Sequence, residues 1–219
     1  MDLRDRVAVV TGGGVRVGRA LALALAARGA RVAVHYHSSA DGAREVERSI
    51  GEAGGYAKMF AADLTLADAP RALIAEVVRA FGGLDILVNS AAIMVRTPFG
   101  EIDARRWDDI FALNLRAPFF LAQAAAPHLR KSKGAIVNIA DLAAFETWPG
   151  YIPHGLTKSG VVHMTRALAR VLAPEVRVNA IAPGTVLLPD DWSRDDAEHL
   201  NATTPLQREG TPEDVADAM

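Results

Sequence analysis

The chain contains no cysteine, so disulfides and thiolate metal centres are excluded, and a reducing compartment is the simplest setting for it. It has almost no charge excess. Its 24 Lys and Arg stand against 26 Asp and Glu, a net charge of −2, which offers neither nucleic acid nor an anionic membrane a reason to bind. No apolar run approaches the roughly 18–20 residues needed to cross a bilayer. The opening Met1-Asp2-Leu3-Arg4-Asp5-Arg6 is too charged for a secretory signal, and the expectation is a soluble, cytoplasmic protein. No His, Asp or Glu cluster has metal-ligand spacing, and no linker, repeat or low-complexity segment interrupts the chain. What is there is an ordinary globular composition, 50% hydrophobic and 23% charged over 219 residues, which suits one α/β domain covering residues 1–219.

Short apolar runs alternate with helical patterns nearly to the end, the signal of a parallel sheet covered on both faces. The spacing predicts strands near 6–10, 31–36, 56–60, 84–88, 135–139 and 176–181. It predicts helices near 18–28, 40–53, 68–81, 103–129 and 154–172. The fold class is therefore α/β, a single-domain doubly wound parallel sheet of the Rossmann kind. Residues 187–204 hold Pro189, dense charge and little periodicity. A long unpatterned loop in a compact domain reads as a lid over a substrate.

The organising stretch is Thr11-Gly12-Gly13-Gly14-Val15-Arg16-Val17-Gly18, between the apolar run Val7 to Val10 and an alanine/leucine-rich helical segment. A strand, a glycine turn and a helix opening at Gly18 form a nucleotide-binding βαβ unit. Glycine permits φ > 0 and close backbone approach to a pyrophosphate. The helix N-terminus supplies N–H groups and a positive dipole end. An NAD site would place a carboxylate about 20 residues past the turn to hold the ribose 2′-hydroxyl. Here stand Tyr36, His37 and Ser38, with no carboxylate before Asp41. Hydroxyl and imidazole groups can donate to a 2′-phosphate, and Arg16 can grip it bidentately, so NADP(H) is favoured.

Further along, Asp63 before Leu64 and Thr65 is either a turn-capping residue or an acceptor for an adenine amino group. Asn89, Ser90 and Ala91 follow the fourth strand at the end where α/β sheets bind ligands, and Asn89 can bridge backbone groups there. Asn114 lies within a long apolar helix. It is either a structural amide at a kink near Pro118 or a relay to a catalytic lysine, since a buried amide needs a partner. Asp141 ends the fifth strand. His154 and Lys158 are four apart and share a helix face.

Taken together, Thr11-Gly12 to Gly18, Asp63, Asn89-Ser90-Ala91, Asn114, Asp141, Lys158 and Asn179-Ala180-Ile181-Ala182-Pro183-Gly184 resemble the short-chain dehydrogenase/reductase family over the whole length. Arg16, the residues from His35 to Ser38, and Asp141 look like its pteridine reductase branch. The resemblance implies NADP(H) held at Thr11, Gly12, Gly14, Arg16, Val17 and Gly18, and at Tyr36, His37 and Ser38. It adds Asp63 and Leu64, Asn89 and Ala91, Lys158, and finally Pro183, Gly184 and Val186. It implies Asn114, Asp141, His154 and Lys158 as catalytic residues, and no metal.

Three departures accompany it. Where the family has tyrosine four residues before the lysine stands His154, while Tyr151 is seven before and out of register. Met94 stands where pterin reductases carry an aromatic residue. The chain stops at Met219, so the expectation is that the family's last helix and strand are missing. The reading is an NADPH-dependent reductase of a carbonyl or an imine, pterin-like small molecule. His154 gives the proton, as an imidazolium with a reference pKa of about 6.5, and Lys158 holds the nicotinamide ribose. The alternative is an NADP(H)-binding pseudo-enzyme or cofactor sensor without turnover. A homo-oligomer, dimer or tetramer, is implied through the helices near 103–129 and 154–172.

Overall fold

The computed structural model describes residues 3–187, 198, 202 and 204–219. The segment expected to form the lid therefore lies largely outside the described residues. Six parallel strands form one sheet in the order β3-β2-β1-β4-β5-β6: β1 (Val7–Val10), β2 (Arg31–Tyr36), β3 (Tyr56–Ala61), β4 (Ile86–Asn89), β5 (Ala135–Ile139) and β6 (Arg177–Ile181). The helices α1 (Arg16–Ala27), α2 (Ala40–Glu52) and α3 (Ala69–Phe81) follow β1, β2 and β3. After β4 come α4 (Ala104–Phe111) and α5 (Ala117–Ser132), after β5 comes α6 (Ile152–Leu172), and α7 (Pro212–Asp217) is the last described helix.

Side chains alternate across each strand, so β1 feeds two cores. Ala8 and Val10 pack with Val32, Val34, Leu21, Leu25, Val46 and Ile50 against α1 and α2. Val7 and Val9 pack with Leu87, Ile136, Leu73, Val77, Leu121 and Leu129 against α3 and α5. Both faces of the central strands are covered, which is why they read as continuous apolar runs. Strand order reverses between β1, which pairs with β2, and β4 on its other side. That reversal opens the crevice where such sheets bind ligands, at the strand carboxyl ends.

Several elements differ from the sequence reading: α6 begins at Ile152 instead of 154, and β4 runs from Ile86 to Asn89 instead of 84–88. Helix α1 begins at Arg16, two residues before Gly18. The predicted helix over 103–129 is two helices joined by a π-helical turn, Ala112–Arg116, whose extra residue per turn shifts the register of everything after it. Past β6, Val186 bridges in parallel to Gly210, and Gly210 N–H donates to Thr185 O at 2.9 Å. Helix α7 then packs Val215 and Ala216 into the α1 side of the core, opened by a capping box in which Thr211 Oγ1 accepts from Asp214 N–H.

Candidate active site

The glycine turn is built from below. Thr11 Oγ1 accepts the N–H groups of Ser90 and Ala91 at 2.9 and 3.0 Å, so Thr11 ties the turn to the carboxyl end of β4. Gly12 has φ +64°, in the left-handed region that glycine enters without strain. At Gly18 a Cβ would stand 2.2 Å from Gly12 O, so α1 can start beneath the turn only without a side chain there. A Cβ on Gly14 would come within 2.8 Å of Ala43 N; Gly14 packs the turn onto α2.

Beneath the turn lies His35, which the sequence reading named only within the family resemblance and gave no role at the site. Its Nδ1 accepts the Gly12 N–H at 3.1 Å, and Nε2 donates to Ala62 O at 3.0 Å. Those partners require the neutral Nε2–H tautomer, and burial pushes its pKa down to about 4. The available signal was a histidine directly after the buried apolar run Val32-Ala33-Val34.

Helix α1 has no side-chain cap and no acidic residue in its first turn. Its leading N–H groups therefore have no side-chain acceptor, and with the positive dipole end they fit a pyrophosphate. The other residues expected to hold the cofactor lie around this point. The Arg16 guanidinium donates to Leu187 O at 2.8 Å, so it spans to the chain beyond β6 instead of projecting free. Leu64 is 2% exposed and packs in the core, leaving only its backbone for a ligand. Tyr36 is partly buried against the other core cluster. His37 and Ser38 are exposed past the end of β2, with His37 Nε2 4.0 Å from Asp63 Oδ2. Asp63 Oδ1 accepts from the Thr65 hydroxyl and N–H at 2.6 and 2.9 Å, the turn-capping role of its two readings. Those bonds hold its carboxyl below the usual pKa. Val17 is half-buried against the α1-side core.

The second half of the site joins β4, β5 and α6. Asp141 follows β5; its Oδ1 accepts the Ala143 N–H at 2.8 Å, and its Oδ2 lies 3.5 Å from His154 Nε2. His154, in the first turn of α6, has a side chain only 3% exposed against 21% for Asp141. Its Nδ1 is 3.2 Å from Ile93 O, while Nε2 is buried without a hydrogen bond. One turn later Lys158 Nζ donates to Ile139 O at 2.8 Å. Burial lowers the Lys158 pKa to about 8, with Asp141 pulling the other way. Asp141 and His154 thus meet, and Lys158 stands one turn along the same helix as His154.

The two asparagines are held by different kinds of partner. Asn89 Nδ2 donates to the Asn138 side chain on β5 at 2.8 Å; it bridges to a neighbouring side chain, not to backbone, because the two residues are directly paired in the sheet. Asn114 sits in the π-helical turn and bonds Ile93 and Thr157, whereas the partner found for the Lys158 amine is Ile139 O. The two bonds to Ile93 are those of a structural amide, one of the two readings of Asn114. Ala91 lines the floor of the crevice, 3.1 Å from a Cβ placed at Gly12. Pro183 O accepts the Leu142 N–H at 3.0 Å, Gly184 faces open space, and Val186 packs against the α1-side core. Among the described residues no group of His, Asp and Glu could hold a metal, and no helix is long and apolar enough to cross a membrane.

This geometry, a Rossmann crevice with an acid–imidazole–amine group opposite a glycine turn, defines an oxidoreductase class, and comparison with known proteins bears that out. The family model described as enoyl-(acyl carrier protein) reductase matches residues 14–219. The 3beta-hydroxysteroid dehydrogenase 1 of Eggerthella lenta is 35% identical over 99% of this chain and 86% of its own length. The 3-oxoacyl-(acyl-carrier-protein) reductase FabG of Staphylococcus aureus is 36% identical over 97% of this chain and 88% of its own. A dehydrogenase/reductase from Sinorhizobium meliloti 1021 superposes with a TM-score of 0.93 at 36% identity, covering 99% of this chain and 87% of that one. A blue fluorescent protein from a metagenomic library, solved in complex with NADPH, gives 0.93 at 31% identity over 100% and 90%. The chain belongs to the short-chain dehydrogenase/reductase family, whose members are oxidoreductases that use nicotinamide cofactors.

Proposed function

We propose that this chain is an NADP(H)-dependent reductase of a small carbonyl compound, with His154 in the position of the family tyrosine as the source of the proton. The observation that carries the reading is the convergence of Asp141, His154 and Lys158 opposite a helix N-terminus that lacks a side-chain cap. The preference for a phosphorylated dinucleotide rests on the end of β2. Exposed His37 and Ser38 stand there, and the first carboxylate, Asp41, points to solvent and pairs with Arg44 at 2.6 Å. The relative solved with NADPH supports the same preference. Met94, half exposed, offers no aromatic platform for a pterin ring. A carbonyl therefore fits this chain better than the pterin-like imine of the pteridine reductase branch.

Bound at the crevice, the reduced nicotinamide supplies a hydride; the protein's residues manage the proton. Lys158, buried with a lowered pKa, holds the ribose hydroxyls and adds positive charge beside Asp141. His154 Nε2 has no exposed surface of its own, so Asp141, the more accessible member of the pair, delivers the proton. Asp141 passes a proton to the substrate oxygen as it becomes an alkoxide and takes one from His154 Nε2. General acid help of this kind is worth about 10²–10⁴ in rate.

The sealed Nε2 also favours a second reading, an NADP(H)-binding pseudo-enzyme or cofactor sensor in which His154 is structural. NADPH binding by fluorescence, followed by turnover against ketones, quinones and pterins, separates the two. Turnover supports the reductase, and tight binding with none supports the sensor. The proposal extends to a soluble, cytoplasmic homo-oligomer. Phe119 and Phe120 on α5 are exposed at 42% and 39% beside a 650 Å³ groove lined by Asp108, Leu115 and Arg116, and sedimentation of the purified protein tests it.

A further inference from the structure

We infer that Asn114 is a positioning residue for His154, acting through the Ile93 carbonyl to fix which ring nitrogen carries the permanent proton. The inference rests on the reading of His154 as proton source. Asn114 Oδ1 accepts the Ile93 N–H at 2.7 Å, and Nδ2 donates to Ile93 O at 2.9 Å. An N–H can only donate and a carbonyl can only accept, so the amide orientation follows from its partners. The second Nδ2 hydrogen reaches Thr157 Oγ1 at 3.3 Å, whose hydroxyl donates to His154 O at 2.7 Å. One amide therefore grips His154 at both ends, by its ring through Ile93 and by its backbone through Thr157.

The ring chemistry follows. Ile93 O lies 3.2 Å from His154 Nδ1 and is an obligate acceptor, so Nδ1 bears a hydrogen in every charge state. The other nitrogen, Nε2, then faces the Asp141 carboxylate at 3.5 Å. Two lone pairs cannot share that gap without repulsion, and the proton held there is the one the pair can give up. The charged groups around the ring are Asp141 at the end of β5 and Lys158 on α6. The π-helical turn makes this possible, because its wider coil brings Asn114, 2% exposed, into the core against Ile93.

The test is long-range proton–nitrogen NMR of the 15N-labelled, cofactor-free protein, with the His154 signals identified among the chain's six histidines by comparison with His154→Gln. The neutral ring is expected to carry its hydrogen on Nδ1; a neutral ring with a bare Nδ1 overturns the inference whatever the variants do. Asn114→Asp keeps the shape and the bond from Ile93 N–H but loses both donations. Asn114→Leu loses all three. Each is expected to populate the Nε2–H form and to lower kcat by about 10²-fold with NADPH affinity within twofold. A folded variant whose ring stays purely Nδ1–H overturns the role of Asn114, and if Asn114→Leu does not fold the isosteric Asn114→Asp decides. The ring is read without cofactor or substrate. A protein that never turns over but shows this tautomer loses the proposed activity and keeps the placement.

Discussion

Acidification should weaken this fold through His35, and the size of the effect can be worked out. The folded ring accepts the Gly12 N–H and donates to Ala62 O, and burial holds its pKa at about 4 against an ordinary 6.5. Below pH 6.5 the unfolded chain takes up a proton that the folded chain refuses, so stability is full above that value and falls as pH drops, levelling off below about 4. Each unit between the two values costs about 1.4 kcal/mol, and from about pH 8 to about pH 4.5 the loss is about 2.5 kcal/mol. That is a large fraction of a typical folding free energy of about 5–15 kcal/mol. Urea unfolding of the wild type and of His35→Gln across this range isolates the contribution, because every other titrating group is common to both. The wild-type curve should steepen relative to the variant by about that amount. Parallel pH dependences, agreeing to about 0.5 kcal/mol, would refute the reasoning. The folded ring stays neutral until pH nears about 4, so NADPH affinity should hold through most of this interval and fall only as pH approaches that value.

Gly18→Ala forces a Cβ against Gly12 O; overpacking of this kind costs about 1–3 kcal/mol or more, and calorimetry should show that loss together with lost NADPH binding. Lys158→Met removes an amine whose charged form is penalised by burial. With folded and ordinary pKa values of about 8 and 10.5, the variant should be more stable by about 1–3 kcal/mol at neutral pH yet inactive, and the gain should shrink as pH rises through 8 toward 10.5. Asp141→Asn should lower kcat by about 10²-fold or more with NADPH affinity unchanged in a fluorescence titration; an equal loss of affinity would make Asp141 structural.

The sheet was legible because its signal is local. Strands β2 and β5 fall at 31–36 and 135–139 as the apolar runs predict, and a glycine turn between strand and helix declares itself in eight residues. The residues that act across the fold were less legible. Asn114 and Pro118 marked an irregularity, but apolar periodicity does not distinguish a kinked helix from a π-helical turn. His35 meets Gly12 only because β1 and β2 pair in a particular register. The spacing of His154 and Lys158 was readable, yet it could not tell that the imidazole lies buried behind Asp141, since that depends on where the segment after β4 carries Ile93.

The bridge between Val186 and Gly210 has a consequence for engineering. It pins together the two ends of the intervening stretch, so the span between them is a graft site whose anchors already meet. Doubling the length of a flexible insert there adds only about 0.6 kcal/mol of closure entropy. An exchange at that doorway leaves the glycine turn and the Asp141–His154 pair as they are.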